Sequence, residues 1–358
     1  MEKRSSQRIQ FVRTPDGVQL AWAETGSGPL LVKASNWLSH LEYEWESPVW
    51  RHWLRFFADH FRFVRYDERG CGMSDWNVDD LSCNRWLGDL EAVVDAALPE
   101  GAFPLLGISQ GVSTAVSYAV KHPERVSRLV LYGGYARGWA LRGDSAGKRE
   151  HEAIVDLAAL GWGRDNPAFR QVFTSRFVPG ATSEQMDWFN ELCRRTSSPA
   201  IAADLLRARA SVDVKELLPK VSAPTLVLHA REDAAVPVSA GRQVAALIPG
   251  AQFVELDSKN HILLEGEPAW GRFCDAVRDF MGIEHAARTD AGPFADLTAR
   301  ERGILGLLTE GLGNADIAER LGVSEKTVRN HVSNLFDKLG VWTRAQAIVF
   351  ARDRGFRG

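Results

Sequence analysis

Hydrophobic and polar positions along the chain follow two rhythms. Over residues 1–282 short apolar runs alternate with stretches of helical period. Arg8 to Arg13 and Val18 to Glu24 alternate around Pro15-Asp16-Gly17, which predicts a hairpin. Pro29 to Val32, Phe61 to Tyr66, Phe103 to Leu106, Val126 to Tyr132, Pro224 to His229 and Ala251 to Leu256 are short and apolar, as strands buried on both faces are. Val49 to His60, Trp86 to Ala97, a stretch from Gly111 to about His122, and Pro268 to Met281 have helical spacing. This alternation predicts a mostly parallel sheet with helices on both faces. From about residue 134 to residue 220 the strand signal disappears, and the aromatic-rich, helical stretch reads as an inserted lid. Residues 283–294 have little apolar pattern and read as a linker.

Residues 295–358 follow the second rhythm, helical throughout. Thr298-Ala299-Arg300-Glu301 has the spacing of a capping box, and Ile304, Leu307 and Leu308 recur behind it. Gly311 and Gly313 end this helix, and Asn314 is a cap candidate for the next, which turns Ile317, Ala318 and Leu321 inward. Leu321-Gly322-Val323 makes a tight turn before Ser324, which can cap a third helix with Val328, Val332, Leu335 and Leu339 as its buried stripe. Two helices joined in this way form a helix-turn-helix, whose second helix enters the major groove. Arg329 has the fork to read guanine, Asn330 can read adenine, and Lys326, Thr327 and Lys338 suit phosphates. Residues 341–352 read as a fourth helix.

Composition changes this picture little. The chain of 358 residues has a net charge of −3. Ten Lys/Arg against eight Asp/Glu from Phe294 onward leave the tail at +2, so DNA binding would rest on local geometry more than on bulk charge. Cys71, Cys83, Cys193 and Cys274 lack the spacing of a zinc site or disulfide framework. No metal or cofactor is expected. The first residues have no apolar region behind them, and no apolar run approaches the ~18 residues of a membrane span, so the expected location is the cytoplasm.

Candidate chemistry lies at Gly107-x-Ser109-x-Gly111, placed between a buried strand and a helix. That is the setting of a nucleophile elbow, where small residues let the chain turn sharply and lift the serine out of the sheet. A serine hydroxyl needs an imidazole to take its proton and a carboxylate to orient the imidazole. After the Pro224–His229 strand come Glu232 and Asp233, with Asp233 the first choice of acid and Glu232 the second; after the next strand comes His261, the base. The N–H of Gln110 is one expected oxyanion donor.

Two resemblances follow from these residues. Leu297-Thr298-x-Arg300-Glu301, Gly311-x-x-Asn314-x-x-Ile317-Ala318-x-x-Leu321 and Val323-Ser324-x-x-Thr327-Val328-x-x-His331-Val332-x-x-Leu335-x-x-Lys338-Leu339-Gly340-Val341 resemble the LuxR-type (GerE-type) DNA-binding domain. The resemblance implies a four-helix module over residues 295–358, dimerisation through the last helix, and Arg329, Asn330 and Ser333 facing bases. Asp67-x-Arg69-Gly70-x-Gly72-x-Ser74, the elbow, Asp233-x-x-Val236-Pro237 and His261 resemble the α/β-hydrolase superfamily over about residues 8–282. It implies an α/β-hydrolase fold with a helical lid, joined to a small all-α domain. The superfamily usually carries His-Gly after the third strand; here the chain reads Lys33-Ala34-Ser35-Asn36-Trp37, so the second oxyanion donor is expected at Asn36 or Trp37.

The functional expectation is a ligand-responsive transcriptional regulator. Its small, partly apolar effector would sit near Ser109 in a pocket walled by Trp37, Trp139, Trp162, Phe173 and Trp188. The expected partners are double-stranded promoter DNA, a second copy of the chain and RNA polymerase, with no membrane. Two alternatives remain open: an active serine ester or lactone hydrolase with a DNA-binding tail, and a large domain that serves only as a dimerisation scaffold.

Overall fold

The computed structural model describes residues 7–98, 100–143, 145–283, 294, 297–339, 341 and 343–356, the side chains of Ala299, Ser333 and Asp337 aside. They fall into two compact units, Met1–Ile283 and Glu284–Gly358. Nearly all of the expected linker, residues 284–293, lies outside the described residues.

The first unit is built on one eight-stranded sheet. In chain order it runs β1 (Arg8–Arg13), β2 (Gln19–Thr25), β3 (Leu30–Ala34), α1 (Arg51–His60), β4 (Arg62–Tyr66), α2 (Cys83–Ala97), β5 (Phe103–Ile108), α3 (Gly111–Lys121) and β6 (Val126–Tyr132). Four lid helices follow: α4 (Ser145–Gly161), α5 (Ala168–Phe177), α6 (Ser183–Thr196) and α7 (Pro199–Ala210). The sheet resumes with β7 (Thr225–Ala230), α8 (Val238–Leu247), β8 (Gln252–Leu256) and α9 (Pro268–Met281). Strand order is β1-β2-β4-β3-β5-β6-β7-β8, with β1 and β2 antiparallel to their neighbours and the rest parallel.

The pleat sends successive side chains to opposite faces, and two apolar layers result. Leu31, Phe63, Leu106 and Val130 face a core shared with α1, α9 and the lid. Val32, Val64, Leu105 and Leu129 face a core closed by α2, α3 and α8. The helix α8 was not expected from the sequence. Gly241 and Val244 are its only buried residues, too little apolar surface to show a period. Gly241 is required there, since a Cβ would meet His229 Nδ1 at 2.3 Å.

The Asp67–Ser74 motif ties the loop after β4 to the first strands. Asp67 Oδ2 accepts from the N–H of Leu41 (3.1 Å) and of Met73 (2.9 Å). Ser74 Oγ donates to Asp67 O at 2.7 Å and accepts from Ala21 N–H at 2.9 Å. Gly72, at φ 55°, has no room for a side chain, because a Cβ would lie 2.2 Å from Asp67 Oδ2. Arg69 is buried, with Nε 2.8 Å and Nη2 2.6 Å from the Asp89 carboxylate and Nη1 2.9 Å from Asp16.

The second unit contains α10 (Ala299–Thr309), α11 (Asn314–Leu321), α12 (Glu325–Leu339) and α13 (Arg344–Asp353) around Ile304, Leu305, Leu308, Ile317, Val328 and Leu335. The Thr298–Glu301 capping box is present in both directions, at 3.2 Å and 2.7 Å. The start of α11 corrects one expectation: Gly313 is the cap and Asn314 the first helical residue, with Asp316 Oδ2 accepting the Gly313 N–H at 3.0 Å. Gly322 turns α11 into α12 at φ 63°, and Ser324 Oγ caps α12 by accepting the Thr327 N–H at 3.1 Å. Among the described residues no helix is long and apolar enough to cross a membrane.

Two stability predictions follow. Arg69→Ala strands Asp89 as a buried, unpaired charge and should cost about 3–5 kcal/mol of the first unit's stability, read from the urea midpoint; Arg69→Met with Asp89→Leu should cost less. In the second unit burial works to raise the Glu301 carboxyl, but Lys338, 2.8 Å away, and the Thr298 N–H and hydroxyl outweigh it and hold it at about 2. Its folded value lies below its ordinary value of 4.5, so the stabilisation is complete above that pH and is lost as pH falls through about 2. Hydrogen-exchange protection of the α10 amides should therefore drop with acid in wild type and respond less in Glu301→Gln.

Candidate functional site

Ser109 sits where β5 stops and α3 begins, at φ 52°, a left-handed conformation that side chains other than glycine rarely adopt. Its N–H donates to Tyr132 O on the neighbouring strand at 2.8 Å, which holds the turn. The flanking glycines are needed for close packing. A Cβ on Gly107 would lie 3.0 Å from Val112 Cα, and one on Gly111 would lie 2.9 Å from the carbonyls of Ala34 and Ser35. With α3 pressed this close, the serine side chain is lifted above the ends of β3 and β5.

His261 Nε2 lies 2.8 Å from Ser109 Oγ, and His261 Nδ1 lies 2.6 Å from Asp233 Oδ2. A carboxylate only accepts, so Nδ1 carries the proton and Nε2 is left to accept from the serine hydroxyl. The other carboxylate oxygen of Asp233 accepts from the N–H of Ala235 (2.8 Å) and of Val236 (2.9 Å). Burial alone would raise the Asp233 carboxyl; the electrostatic attraction and hydrogen bond of His261, with the Val236 N–H, outweigh it and hold the group below its ordinary value. Asp233 is thereby kept as the anion that orients His261. The second-choice acid, Glu232, is exposed and takes no part. His229, 3.5 Å from Asp233, donates Nε2–H to Val236 O at 2.9 Å, and burial lowers its pKa, so it stays neutral.

The lid closes over this relay. Ser109, His261 and Asp233 are all buried. The Phe177 ring stands edge-on to His261 at 5.1 Å, and its carbonyl accepts the Ile262 N–H at 3.1 Å. Asn260 Oδ1 accepts the Gly180 N–H at 2.7 Å, which pins the loop after α5 to the histidine loop.

Two cavities open at Ser109. The larger, ≈ 590 Å³ with its mouth included, is lined by Ser109, Gln110, Trp139 and Phe173 among the expected residues. The smaller, ≈ 290 Å³, brings Asn36 and Trp37 beside Ser109 and His261, so both candidates for the second oxyanion donor lie at the serine. The expectation that Trp162 and Trp188 wall the pocket is corrected, since they line neither cavity. Trp162 stacks behind Trp37 at 5.1 Å, and Trp188 stacks on Tyr43 at 4.9 Å. In the sequence every lid aromatic looks alike; only packing separates those at the wall from those behind it. Sequence reasoning missed Arg142, Arg176 and Arg209, all at the larger cavity. On helices and loops such residues read as solvated charge, and no spacing marks them.

In the second unit Lys326, Arg329 and Asn330 are exposed on α12, opposite Val328, Val332 and Leu335. Arg329 reaches back to Glu325 at 3.3 Å. Thr327 Oγ1 lies 2.8 Å from Ser324 Oγ and belongs to the cap. Lys338 is taken up by Glu301, so it braces α12 against α10 where a free phosphate contact was expected. The Ser333 side chain lies outside the described residues. Among the described residues no cluster of His, Cys, Asp or Glu is placed to hold a metal ion.

Residues 52–268, more than half of the chain, match the family described as "Serine aminopeptidase, S33", and residues 295–351 match "Bacterial regulatory proteins, luxR family". The AB hydrolase superfamily protein YisY of Bacillus subtilis (strain 168) is 25% identical over 255 residues, 70% of this chain and 91% of that protein. The DNA-binding transcriptional activator DevR/DosR of Mycobacterium tuberculosis is 54% identical over 78 residues, which is 22% of this chain and 36% of the activator. An esterase from Exiguobacterium antarcticum shares the fold with a TM-score of 0.64 at 22% identity, over 77% of this chain and 100% of the esterase. The chain belongs to the family described as serine aminopeptidase, S33, an α/β-hydrolase by fold, and carries a luxR-family helix-turn-helix domain at its C-terminal end.

Proposed function

We propose that the protein is a ligand-responsive transcriptional regulator whose hydrolase-like unit binds a small ester or lactone beneath the lid and cleaves it. The observation that carries this reading is the hydrogen-bonded relay Ser109–His261–Asp233, intact and facing a lid-covered cavity, in a chain that also carries a luxR-family domain. Ser109 Oγ attacks the ester carbonyl while His261 Nε2 takes its proton. The N–H of Gln110 and that of Asn36 or Trp37 donate to the developing oxyanion. His261 then returns the proton to the departing alcohol, and water hydrolyses the acyl-serine by the same route in reverse. The acid stays behind or leaves, and the switch resets.

The regulatory step follows from linkage. An effector shifts the protein only by binding one arrangement of lid and domains better than another. DNA is read by α12, with Arg329 and Asn330 at base edges and Lys326 at a phosphate. A second copy docks through α13, where Val349 is an apolar side chain 54% exposed. The site of action is the cytoplasm. A second reading, a hydrolase whose tail only localises it, is favoured by the same intact relay, and it predicts DNA binding that no ester alters.

Wild type should hydrolyse p-nitrophenyl esters and be labelled by a fluorophosphonate, and Ser109→Ala should lose both, with turnover down by about 10³-fold or more. A wild-type protein inert in both assays would sink the hydrolytic part. On DNA fragments selected from a random pool, Arg329→Ala should cost about 1–3 kcal/mol and relax preference at one base position. Lys326→Ala should weaken binding to all sequences and lower the salt slope by about one.

A further inference from the structure

The larger cavity is apolar for most of its wall, through Tyr135, Trp139, Ile154, Phe173 and Leu206, yet three arginines reach it and, among the described residues, no acidic side chain does. Two of them are neutralised in place. Arg176 Nη1 is paired with Glu150 at 2.5 Å, and Arg209 Nη2 holds both oxygens of Glu68. Arg142 is not. Its Nε donates to Arg137 O at 2.9 Å and its guanidinium lies over the Tyr135 ring at 4.7 Å, but among the described residues its two Nη groups have no acceptor. Half-buried at the cavity, it has no acidic partner for its positive charge among the described residues. Burial pulls its pKa below the ordinary arginine value, as expected where a charge lacks a counterion. Arg209, 4% exposed, is turned to Glu68 and lies over the Trp86 ring at 4.5 Å, so it lends the wall no free charge. Arg142 and Tyr135 also line a more open depression with Pro237, Ser239 and Gln243.

We infer that the effector is an amphipathic ester whose acyl part ends in a carboxylate, with that carboxylate held by Arg142. This rests on the proposal that the cavity takes a small ester, and it adds the ligand's chemical class. The apolar wall takes the carbon chain, Ser109 faces the ester carbonyl at one end, and the arginine fork takes the anion at the other. Such a fork suits a planar carboxylate, which it can hold through two parallel N–H donors. The class is therefore the monoesters of dicarboxylic acids, or lactones bearing a free carboxyl group. A charge at that end also separates the ester from its neutral analogues, because a neutral ligand leaves the Arg142 charge unmatched.

Binding decides the matter independently of turnover. Monomethyl esters of straight-chain dicarboxylic acids, succinic to suberic, and methyl esters of the matching monocarboxylic acids are titrated calorimetrically into full-length Ser109→Ala protein, so that no ligand is consumed. The best acid should bind about tenfold or more tighter than its neutral counterpart, close to 1.4 kcal/mol. The ratio should fall toward one in Ser109→Ala/Arg142→Gln and recover in part in Ser109→Ala/Arg142→Lys. A ratio near one in the Arg142 protein, a ratio that Arg142→Gln leaves unchanged, or no binding of any ester would each overturn the carboxylate site. The p-nitrophenyl ester assay on wild type separates the two claims. Serine-dependent turnover with a ratio near one keeps the hydrolase and removes the carboxylate site. An Arg142-dependent ratio without turnover keeps the carboxylate site and removes the hydrolysis.

Discussion

The close approach of α3 to the ends of β3 and β5 is the constraint on which the rest of the first unit depends. It is possible only because Gly107 and Gly111 present no side chain to Val112 and to the carbonyls after β3. It forces Ser109 into a left-handed backbone conformation that costs of order 1–3 kcal/mol. The parallel sheet offsets this through the Ser109 N–H to Tyr132 O bond and the apolar layers on either face. A serine so placed projects into the space above the strand ends, where loops from distant parts of the chain can reach it. The loop after β7 brings Asp233, the loop after β8 brings His261, and the loop after β3 brings Asn36 and Trp37.

The polar groups in this interior sort by whether they are matched. Asp233 is satisfied by His261 and two backbone N–H groups; Arg69 is satisfied by Asp89 and Asp16; one oxygen of Asp67 takes the N–H groups of Leu41 and Met73. These groups hold loops and side chains in place. Among the described residues the two Nη groups of Arg142 are left without acceptors beside the larger cavity. An unmatched charge beside a matched hydrogen-bonded relay is a poor stabiliser, because its cost is recovered only when an opposite charge is brought to it.

The second unit shows the same division on a smaller scale. Its helices are held by the Thr298–Glu301 cap, by Lys338 on Glu301 and by the apolar stripe of α12, and this leaves Lys326, Arg329 and Asn330 exposed. Of the two lysines that suited phosphates in the sequence, Lys338 is the one the fold uses internally. Glu301 lies 37 residues away, and that distance hides the pair from any reading of local spacing.

The eight strands, the elbow and the order serine, acid, histidine were legible in the chain because each rests on local rules: apolar runs of strand length, glycines two residues either side of Ser109, and a polar residue just after a strand. The helix-turn-helix was legible for the same reason, since caps and the apolar stripe of α12 repeat within a few residues. What the sequence left open depends on contacts between distant segments. It ranked Asp233 above Glu232 without excluding the second; burial decided, by turning one toward His261 and the other to solvent. It did not show α8, whose buried face is little more than a glycine against His229. It did not tell the tryptophans at the cavity from those behind them, nor mark Arg142, because an arginine becomes a binding group only when the fold removes its counterions and places it beside a cavity. Local periodicity and backbone chemistry set the elements and the elbow serine; the tertiary structure alone decided which charges are matched and which side chains meet at the cavity.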